Sequence, residues 1–127
     1  MKPNILIIDD DVLFTEVLRR KLALKGYDNI LVYHSGEGVI KNLQNDVDLV
    51  FLDYHLGDTN GIDLYSKIKD VVITSNIIML SSNGTDYVIN KARDNGIDRY
   101  IIKNDVTMNA QIEAAIFEMA MQMEFQN

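Results

Sequence analysis

Five short apolar runs alternate with stretches of helical length along this chain of 127 residues. The runs are rich in Ile, Val and aromatic residues, as is typical of strands buried on both faces. They are Ile5–Ile8, Ile30–Tyr33, Leu49–Leu52, Ile77–Leu80 and Tyr100–Ile102. Consecutive parallel strands need a crossover, and right-handed crossovers place helices on both faces of a sheet. The alternation therefore predicts an α/β fold, a doubly wound five-stranded parallel sheet with five helices.

The stretches between the runs repeat apolar residues three and four positions apart, as amphipathic helices do. The apolar residues that define the five helices are Leu13, Val17, Leu18 and Leu22; Val39, Ile40 and Leu43; Ile62, Leu64, Tyr65 and Ile68; Tyr87, Val88 and Ala92; and Ile112, Ile116, Met119 and Met123. Gly26 and Gly96 stand where the first and fourth helices should end, and glycine there favours the left-handed conformation. A single Pro and the lack of a Gly/Ser-rich linker predict one domain over residues 1–127.

Composition excludes several classes of function. The chain has no Cys and only two His, His34 and His55, which excludes thiolate and His-rich metal sites. Nineteen acidic residues against twelve basic ones give a net charge of −7, so we expect no direct contact with nucleic acid. No stretch approaches the roughly 18 apolar residues of a membrane span, and no signal-peptide core is present. We therefore expect a cytoplasmic protein without a membrane partner.

Polar side chains follow four of the five predicted strands. They are Asp9, Asp10 and Asp11 after the first, Asp53 after the third, Ser81 after the fourth and Lys103 after the fifth. Ligands of open α/β sheets bind at the carboxyl ends of the strands, so we expect one acidic pocket with a lysine. Neighbouring carboxylates repel unless a cation lies between them, and oxygen ligands favour Mg²⁺ or Mn²⁺.

Several of these residues also have a simpler interpretation. An Asp after a strand is often a helix N-cap, which is the role we favour for Asp11. Ser81 could equally cap the fourth helix, and Lys103 taken alone is a solvated surface charge. Asp53 differs, because a carboxylate beside Mg²⁺ can attack phosphorus and form an aspartyl phosphate.

These residues, in this order, resemble the response-regulator receiver domain of two-component signalling. The motifs are Asp9-Asp10, Leu-Asp-x-x-Leu around Asp53 followed by Asn-Gly-Ile-Asp-Leu, Ile-Ile-Met-Leu before Ser81, and Lys103 three residues after Tyr100. The resemblance spans Lys2 to about Glu124 and implies a flavodoxin-like strand order of 2-1-3-4-5. It also implies a signalling phosphoacceptor that catalyses only its own phosphorylation and dephosphorylation. The expected partners are a sensor histidine kinase or phosphotransfer protein, and a downstream protein or a missing effector domain.

The resemblance assigns Asp53 as the phosphoacceptor, which takes its phosphoryl group from a phosphohistidine of the partner. Asp10 and Asp53 would bind Mg²⁺ directly, with the backbone carbonyl of His55 as a third ligand and Asp9 acting through water. A hydrolase of the haloacid-dehalogenase type is the alternative from the enzyme class. That type carries an Asp two residues after its nucleophile, where this chain has His55. A pseudo-receiver that is never phosphorylated is a third interpretation, which the full set of matching residues disfavours.

Three further residues would respond to the phosphoryl group. By resemblance, Ser81 is the switch hydroxyl, Lys103 its salt-bridge partner, and Tyr100 the aromatic switch whose ring rotates on activation. His55 and Asn83 lie two residues beyond the phosphoacceptor and the switch hydroxyl, where they would tune dephosphorylation. A solvent-exposed imidazole without this role is the alternative for His55.

The chain departs from the family's pattern at two positions. The usual Lys-Pro pair, which the family holds cis, is here Lys103-Asn104. A cis bond before a residue other than Pro costs roughly 2.5–4 kcal/mol, so we expect a trans peptide and a rearranged loop, with a cis bond tolerated under strain as the alternative. Gly57 stands where the family commonly has Pro, which predicts a looser turn after the phosphoacceptor.

The last predicted helix carries two apolar stripes. The first, Ile112, Ile116, Met119 and Met123, should face the sheet, and the second, Phe117, Met121 and Phe125, lies on nearly the opposite side. The second stripe predicts a docking or self-association surface, including a homodimer through this helix. No Lys or Arg follows Lys103, so such contacts would be apolar. A frayed end, or a further domain beyond this helix, is the alternative.

Overall fold

The computed structural model describes residues 2–43, 46–73 and 76–126, in which strands and helices alternate along the chain. The strands are β1 (Ile5–Ile8), β2 (Ile30–Tyr33), β3 (Leu49–Leu52), β4 (Ile77–Ser81) and β5 (Arg99–Ile102). The helices are α1 (Val12–Leu24), α2 (Gly36–Lys41), α3 (Gly61–Ile68), α4 (Asp86–Asp94) and α5 (Met108–Gln126). The predicted βα alternation is confirmed.

The strands pair in parallel in the order β2-β1-β3-β4-β5, as predicted. Successive strands are added towards one edge of the sheet up to β2 and towards the other edge from β3 onwards, so the order reverses between β1 and β3. Ligands of open α/β sheets bind at such a switch point. The register pairs Ile8 of β1 with Leu52 of β3. Asp9 and Asp53, the next residues along these strands, are therefore neighbours at the carboxyl edge of the sheet.

Alternate strand residues point to opposite faces, and each face has its own hydrophobic core. One core joins the sheet to α2, α3 and α4, and the other joins it to α1 and α5. Strands β1, β3 and β4 are buried throughout, as predicted. The prediction is wrong for β2 and β5, where most residues are only partly buried and Leu31 is exposed, because an edge strand has a neighbour on one side only.

The first helix begins as predicted, because the Asp11 carboxylate caps α1 and accepts the N–H of Phe14 at 3.0 Å. The alternative that Ser81 caps the fourth helix is wrong, since Thr85 caps α4. Tyr87 was predicted on the apolar face of α4 but is 71% exposed.

Three backbone predictions are confirmed. Gly26 and Gly96 follow their helices with φ of 94° and 92°, in the left-handed region. The peptide bond between Lys103 and Asn104 is trans, as are all those that the structure describes. Asn104 then adopts a φ of 66°, a conformation that Asn tolerates better than most residues. In the described part of the chain, no helix is both long enough and apolar enough to cross a membrane.

Both stripes of α5 lie where the sequence places them. Ile112, Ile116 and Met119 are buried, and Met123 packs against the same core. In the second stripe Phe117 is 66% and Phe125 is 82% exposed, and Met121 is partly buried.

Candidate functional site

Three carboxylates meet at the carboxyl edge of the central strands. One oxygen from each of Asp9, Asp10 and Asp53 lies within 4.8 Å of the other two. Asp9 and Asp53 are buried and Asp10 is exposed. The Asp53 N–H donates to the Ile8 carbonyl at 2.8 Å, so the ladder between β1 and β3 continues into the site and fixes the Asp53 backbone.

Lys103 is the cation of this pocket. Its Nζ lies 2.7 Å from Oδ2 of Asp9 and 3.4 Å from Oδ2 of Asp53, and its side chain is only 9% exposed. The simpler interpretation of Lys103 as a solvated surface charge is therefore wrong. One ammonium faces three carboxylates, so the pocket keeps an excess of negative charge.

Burial and neighbouring charges shift the pKa values of Asp9 and Lys103. Burial raises the pKa of Asp9 to about 6, although hydrogen bonds from Lys103 and the Asp11 N–H act in the other direction. The charge of Asp53 adds to the rise. Burial alone would lower the pKa of Lys103, but its hydrogen bond to Asp9 and the charges of both carboxylates outweigh burial, so that pKa is raised. An added cation would relieve the repulsion between the carboxylates.

The donor set of the pocket fits a hard divalent cation. It consists of carboxylate oxygens, which suit Mg²⁺ or Mn²⁺ better than softer metals. His55 does not contribute its imidazole to this cluster, since its ring is exposed and packs edge-on against Tyr54 at 4.8 Å between centroids. His55 and Asn60 form an antiparallel bridge in which the residues next to them make the hydrogen bonds. The His55 carbonyl takes no part in those hydrogen bonds.

Gly61, the first residue of α3, permits the backbone of the Asp53 loop to close. Its N–H donates to the Tyr54 carbonyl at 2.7 Å. A Cβ at this position would lie 2.3 Å from the carbonyl oxygen of Asp53, closer than atoms can approach. Glycine is thus required at this position, and the preceding Asn60 caps α3 by accepting the N–H of Asp63.

Ser81, Asn83 and Tyr100 form a connected group beside the pocket. Ser81 is fully buried at the end of β4, and its hydroxyl accepts the N–H of Asn83 at 3.3 Å. The Tyr100 hydroxyl donates to the carbonyl of Asn83. Burial raises the pKa of Tyr100, a hydrogen bond with Ser81 opposes the rise, and the charge of Asp53 adds to it.

The sequence did not single out three residues around the pocket. The Phe14 ring centroid lies 4.4 Å from Nζ of Lys103. His34 Nδ1 is 2.9 Å from the carbonyl of Asp9. The Asp58 carboxylate accepts the N–H groups of the first two residues of α2, at 3.1 and 3.0 Å, which lowers the pKa of Asp58. Only Phe14 had a sequence signal, as an aromatic residue three positions after the predicted cap at Asp11.

Comparison with known proteins identifies the family. The family described as the response regulator receiver domain matches residues 5–116, so the chain belongs to the response-regulator receiver domains, as the resemblance implied. Among curated relatives, the transcriptional regulatory protein CpxR of Klebsiella pneumoniae is 34% identical over 115 residues, covering 89% of this chain and 49% of the relative. The response regulator ArlR of Staphylococcus haemolyticus is 31% identical over 100 residues, covering 79% and 45%. The chain spans about half the length of the curated relatives it matches.

Solved structures agree with this assignment. A two-component response regulator from Clostridium difficile has a TM-score of 0.78 and 31% identity, covering 93% of this chain and 98% of that one. A CheY-like receiver domain protein from Methanospirillum hungatei has a TM-score of 0.82 and 21% identity, covering 98% of each chain, and at that identity it bears on the fold alone. The pocket of Asp9, Asp10 and Asp53 fits the phosphoacceptor site of such a domain.

Proposed function

We propose that Asp53 accepts a phosphoryl group from the phosphohistidine of a sensor histidine kinase or a phosphotransfer protein in the cytoplasm. The observation that carries this proposal is the cluster of three carboxylates whose oxygens lie within 4.8 Å, balanced only in part by Lys103. Repulsion of this kind is costly, and a bound cation would relieve it and then offset the negative charge of an incoming phosphoryl group.

In the proposed transfer, a carboxylate oxygen of Asp53 bonds to phosphorus while the P–N bond of the phosphohistidine breaks. The bonding electron pair stays with the imidazole nitrogen, which takes up a proton as it leaves. Asp10, Asp53 and the His55 carbonyl would hold Mg²⁺ (or Mn²⁺), with Asp9 acting through water. The bound ion would supply positive charge to the phosphoryl oxygens. The Lys103 ammonium would exchange Asp9 for a phosphoryl oxygen.

The proposed response to the phosphoryl group passes through Ser81. Its hydroxyl would move towards the phosphoryl group and so give up the N–H of Asn83, whose carbonyl holds the Tyr100 hydroxyl. The ring of Tyr100 would then rotate and change the surface around it and the last helix. This biases a two-state equilibrium by the contacts that differ between the states. We also propose that His55 and Asn83 tune dephosphorylation.

Phosphorylation by a small donor tests the assignment. We expect the intact mass of the parent to gain one phosphate with acetyl phosphate and Mg²⁺, and Asp53→Asn or a chelator to abolish the gain. Asp48→Asn is the matched control, since Asp48 precedes the strand that Asp53 follows and lies at its other end. Phosphate uptake by Asp53→Asn would contradict the assignment, and sustained turnover of phosphate esters would indicate a hydrolase.

The exposed second stripe of α5 is the surface that we propose for a downstream partner, including a second copy of the chain. Sedimentation of the double variant Phe117→Glu/Met121→Glu against the parent tests self-association. We expect a lower mass for the variant, because two buried carboxylates would disrupt an apolar contact. A parent that is monomeric, with an unchanged mass in the variant, would contradict the homodimer.

A further inference from the structure

The Lys103 ammonium has a third neighbour besides its two carboxylates. The face of the Phe14 ring lies against it, with 4.4 Å between Nζ and the ring centroid. An ammonium within about 6 Å of an aromatic centroid is attracted by the negative face of the ring. The attraction is stronger where water is excluded, and the lysine side chain is only 9% exposed. Lys103 is therefore held by two charges and by one uncharged ring.

The position of the Phe14 ring depends on the same carboxylate that holds the lysine. Oδ2 of Asp9 binds Lys103, while its Oδ1 accepts the N–H of Asp11 at 2.9 Å. The Asp11 carboxylate in turn accepts the N–H of Phe14 at 3.0 Å. Asp9 is therefore connected to the Phe14 ring in two ways, through the helix cap at Asp11 and through the Lys103 ammonium. Ring and ammonium are thus placed relative to each other by the start of α1.

The chain after Lys103 does not supply the restraint that the family's proline would. Asn104 follows in the left-handed conformation, and the Lys103 N–H donates to the Ser81 carbonyl at 2.9 Å. That hydrogen bond fixes the backbone of the lysine and leaves its four-carbon side chain to be placed by contacts. The Phe14 ring is partly buried and packs against the core formed with α1 and α5, so it is itself held in place.

An aromatic ring holds a cation in a way that a carboxylate cannot. It attracts the ammonium but accepts no strong hydrogen bond from it, so all three N–H groups of the lysine stay available to oxygen acceptors. We propose that Phe14 is a positioning residue that keeps the Lys103 ammonium at the phosphoacceptor while the lysine exchanges Asp9 for a phosphoryl oxygen. This inference rests on the proposed function of Asp53 and adds a residue to it.

Substitution of Phe14 in the full chain tests the inference. Phe14→Leu keeps an apolar side chain and loses the ring, Phe14→Tyr keeps a ring, and Tyr87→Leu removes an exposed ring on α4 that lies 5.9 Å from Nζ of Lys91, away from the pocket. With acetyl phosphate and Mg²⁺, we expect Phe14→Leu to slow phosphorylation of Asp53 roughly two- to five-fold, the range of one cation–π contact. Phe14→Tyr and Tyr87→Leu should stay near the parent rate.

A second measurement reports the contact without any phosphoryl group. In the parent, the ring current of Phe14 should shift the ε-methylene protons of Lys103 upfield, and Lys103→Met identifies their NMR signal by removing it. Phe14→Leu should abolish the shift and Phe14→Tyr should retain it, which a merely structural role would not require. A shift that persists in Phe14→Leu, or equal slowing by the Leu and Tyr variants, would overturn the inference alone. A parent that takes up no phosphate would overturn the proposed function, and the positioning role with it.

Discussion

Each of the central strands β1, β3 and β4 has a polar residue at both ends. At the amino edge these are Asn4, Asp48 and Asn76, and at the carboxyl edge they are Asp9, Asp53 and Ser81. At the amino edge donors meet acceptors, because the Asp48 carboxylate accepts the Asn4 N–H at 2.7 Å and the Asn76 amide donates to the Asp48 carbonyl at 3.1 Å. The polar groups there bind one another and the backbone.

The carboxyl edge has the opposite balance. Two buried carboxylates share the ammonium of Lys103 and a third, exposed carboxylate lies beside them, so negative charge exceeds positive charge at this edge. An Asp at the end of a strand has a structural role where each acceptor has a donor. It is suited to binding a ligand where negative charge exceeds the donors and cations around it. The comparison teaches that the balance between hydrogen-bond donors and negative charge, more than the residue type, distinguishes a ligand site from a structural contact.

The largest effect should come from a glycine substitution at the carboxyl edge. In Gly61→Ala the new Cβ would lie 2.3 Å from the Asp53 carbonyl oxygen and 2.8 Å from the Met79 side chain. We expect this overpacking to lower the free energy of unfolding by about 3 kcal/mol in urea titrations and to reduce phosphate uptake.

The matched control is Gly26→Ala, on the loop that leads into the amino end of β2. Nothing lies within 4 Å of a Cβ there, and only the left-handed φ of 94° opposes the substitution. We expect a loss of about 1 kcal/mol and unchanged phosphate uptake. Equal losses for the two variants would mean that the approach at Gly61 is no tighter than at Gly26.

The next effect is the pH dependence of Asp9 in metal-free protein. Its folded pKa of about 6 lies above the ordinary 3.8, so folding disfavours the ionised form. This destabilisation is full above the folded pKa and disappears as the pH falls towards the ordinary value. From about pH 7 to about pH 4, we expect the unfolding free energy of the parent to rise by about 2 kcal/mol relative to Asp9→Asn, as measured in EDTA.

Asp58 provides a control of opposite sign for this measurement. Its pKa is lowered by the N–H groups of Gly36 and Glu37, so its contribution to stability is present at neutral pH. That contribution is lost as the pH falls through the lowered pKa, and the parent should therefore lose stability relative to Asp58→Asn. The same direction for both pairs would contradict the electrostatic difference between the two sites.

The smallest effect is expected at the amino edge. Asp48→Ala removes the acceptor of the Asn4 N–H, and we expect a loss of about 1 kcal/mol of unfolding free energy, because the group is only partly buried. Phosphate uptake should be unchanged. A loss of uptake in this variant would mean that the two edges are coupled through β3.

Local sequence predicted the elements that depend on local chemistry. The apolar runs of β1 and β3 end where the structure ends them, and Asp11 caps α1 as its position after a strand predicted. The same kind of run at β2 proved half-exposed, because position at the edge of a sheet is a property of the whole topology. Tyr87 has helical spacing with Val88 and Ala92 but faces solvent, since spacing alone does not fix the width of the buried face.

The site was predictable to the extent that strand ends collect at one edge. That rule brought Asp9, Asp53 and Lys103 together before any contact was known. It could not supply the ring of Phe14, because the contact with Lys103 joins opposite parts of the chain and depends on where the first turn of α1 lies relative to the residue after β5. Nor could that rule show that position 61 requires glycine. The requirement comes from the close approach of the Gly61 backbone to the Asp53 carbonyl oxygen.

The Asp58 carboxylate makes the hydrogen bonding of the two flanks of the pocket different. Its two hydrogen bonds tie the turn after Asp53 to the start of α2, so those segments must move together. On the opposite flank, the Tyr100 hydroxyl reaches the β4–α4 connection through the single carbonyl of Asn83. We therefore expect a displacement that starts at Asp53 to be transmitted less towards α2 than towards β4, β5 and the helix that follows.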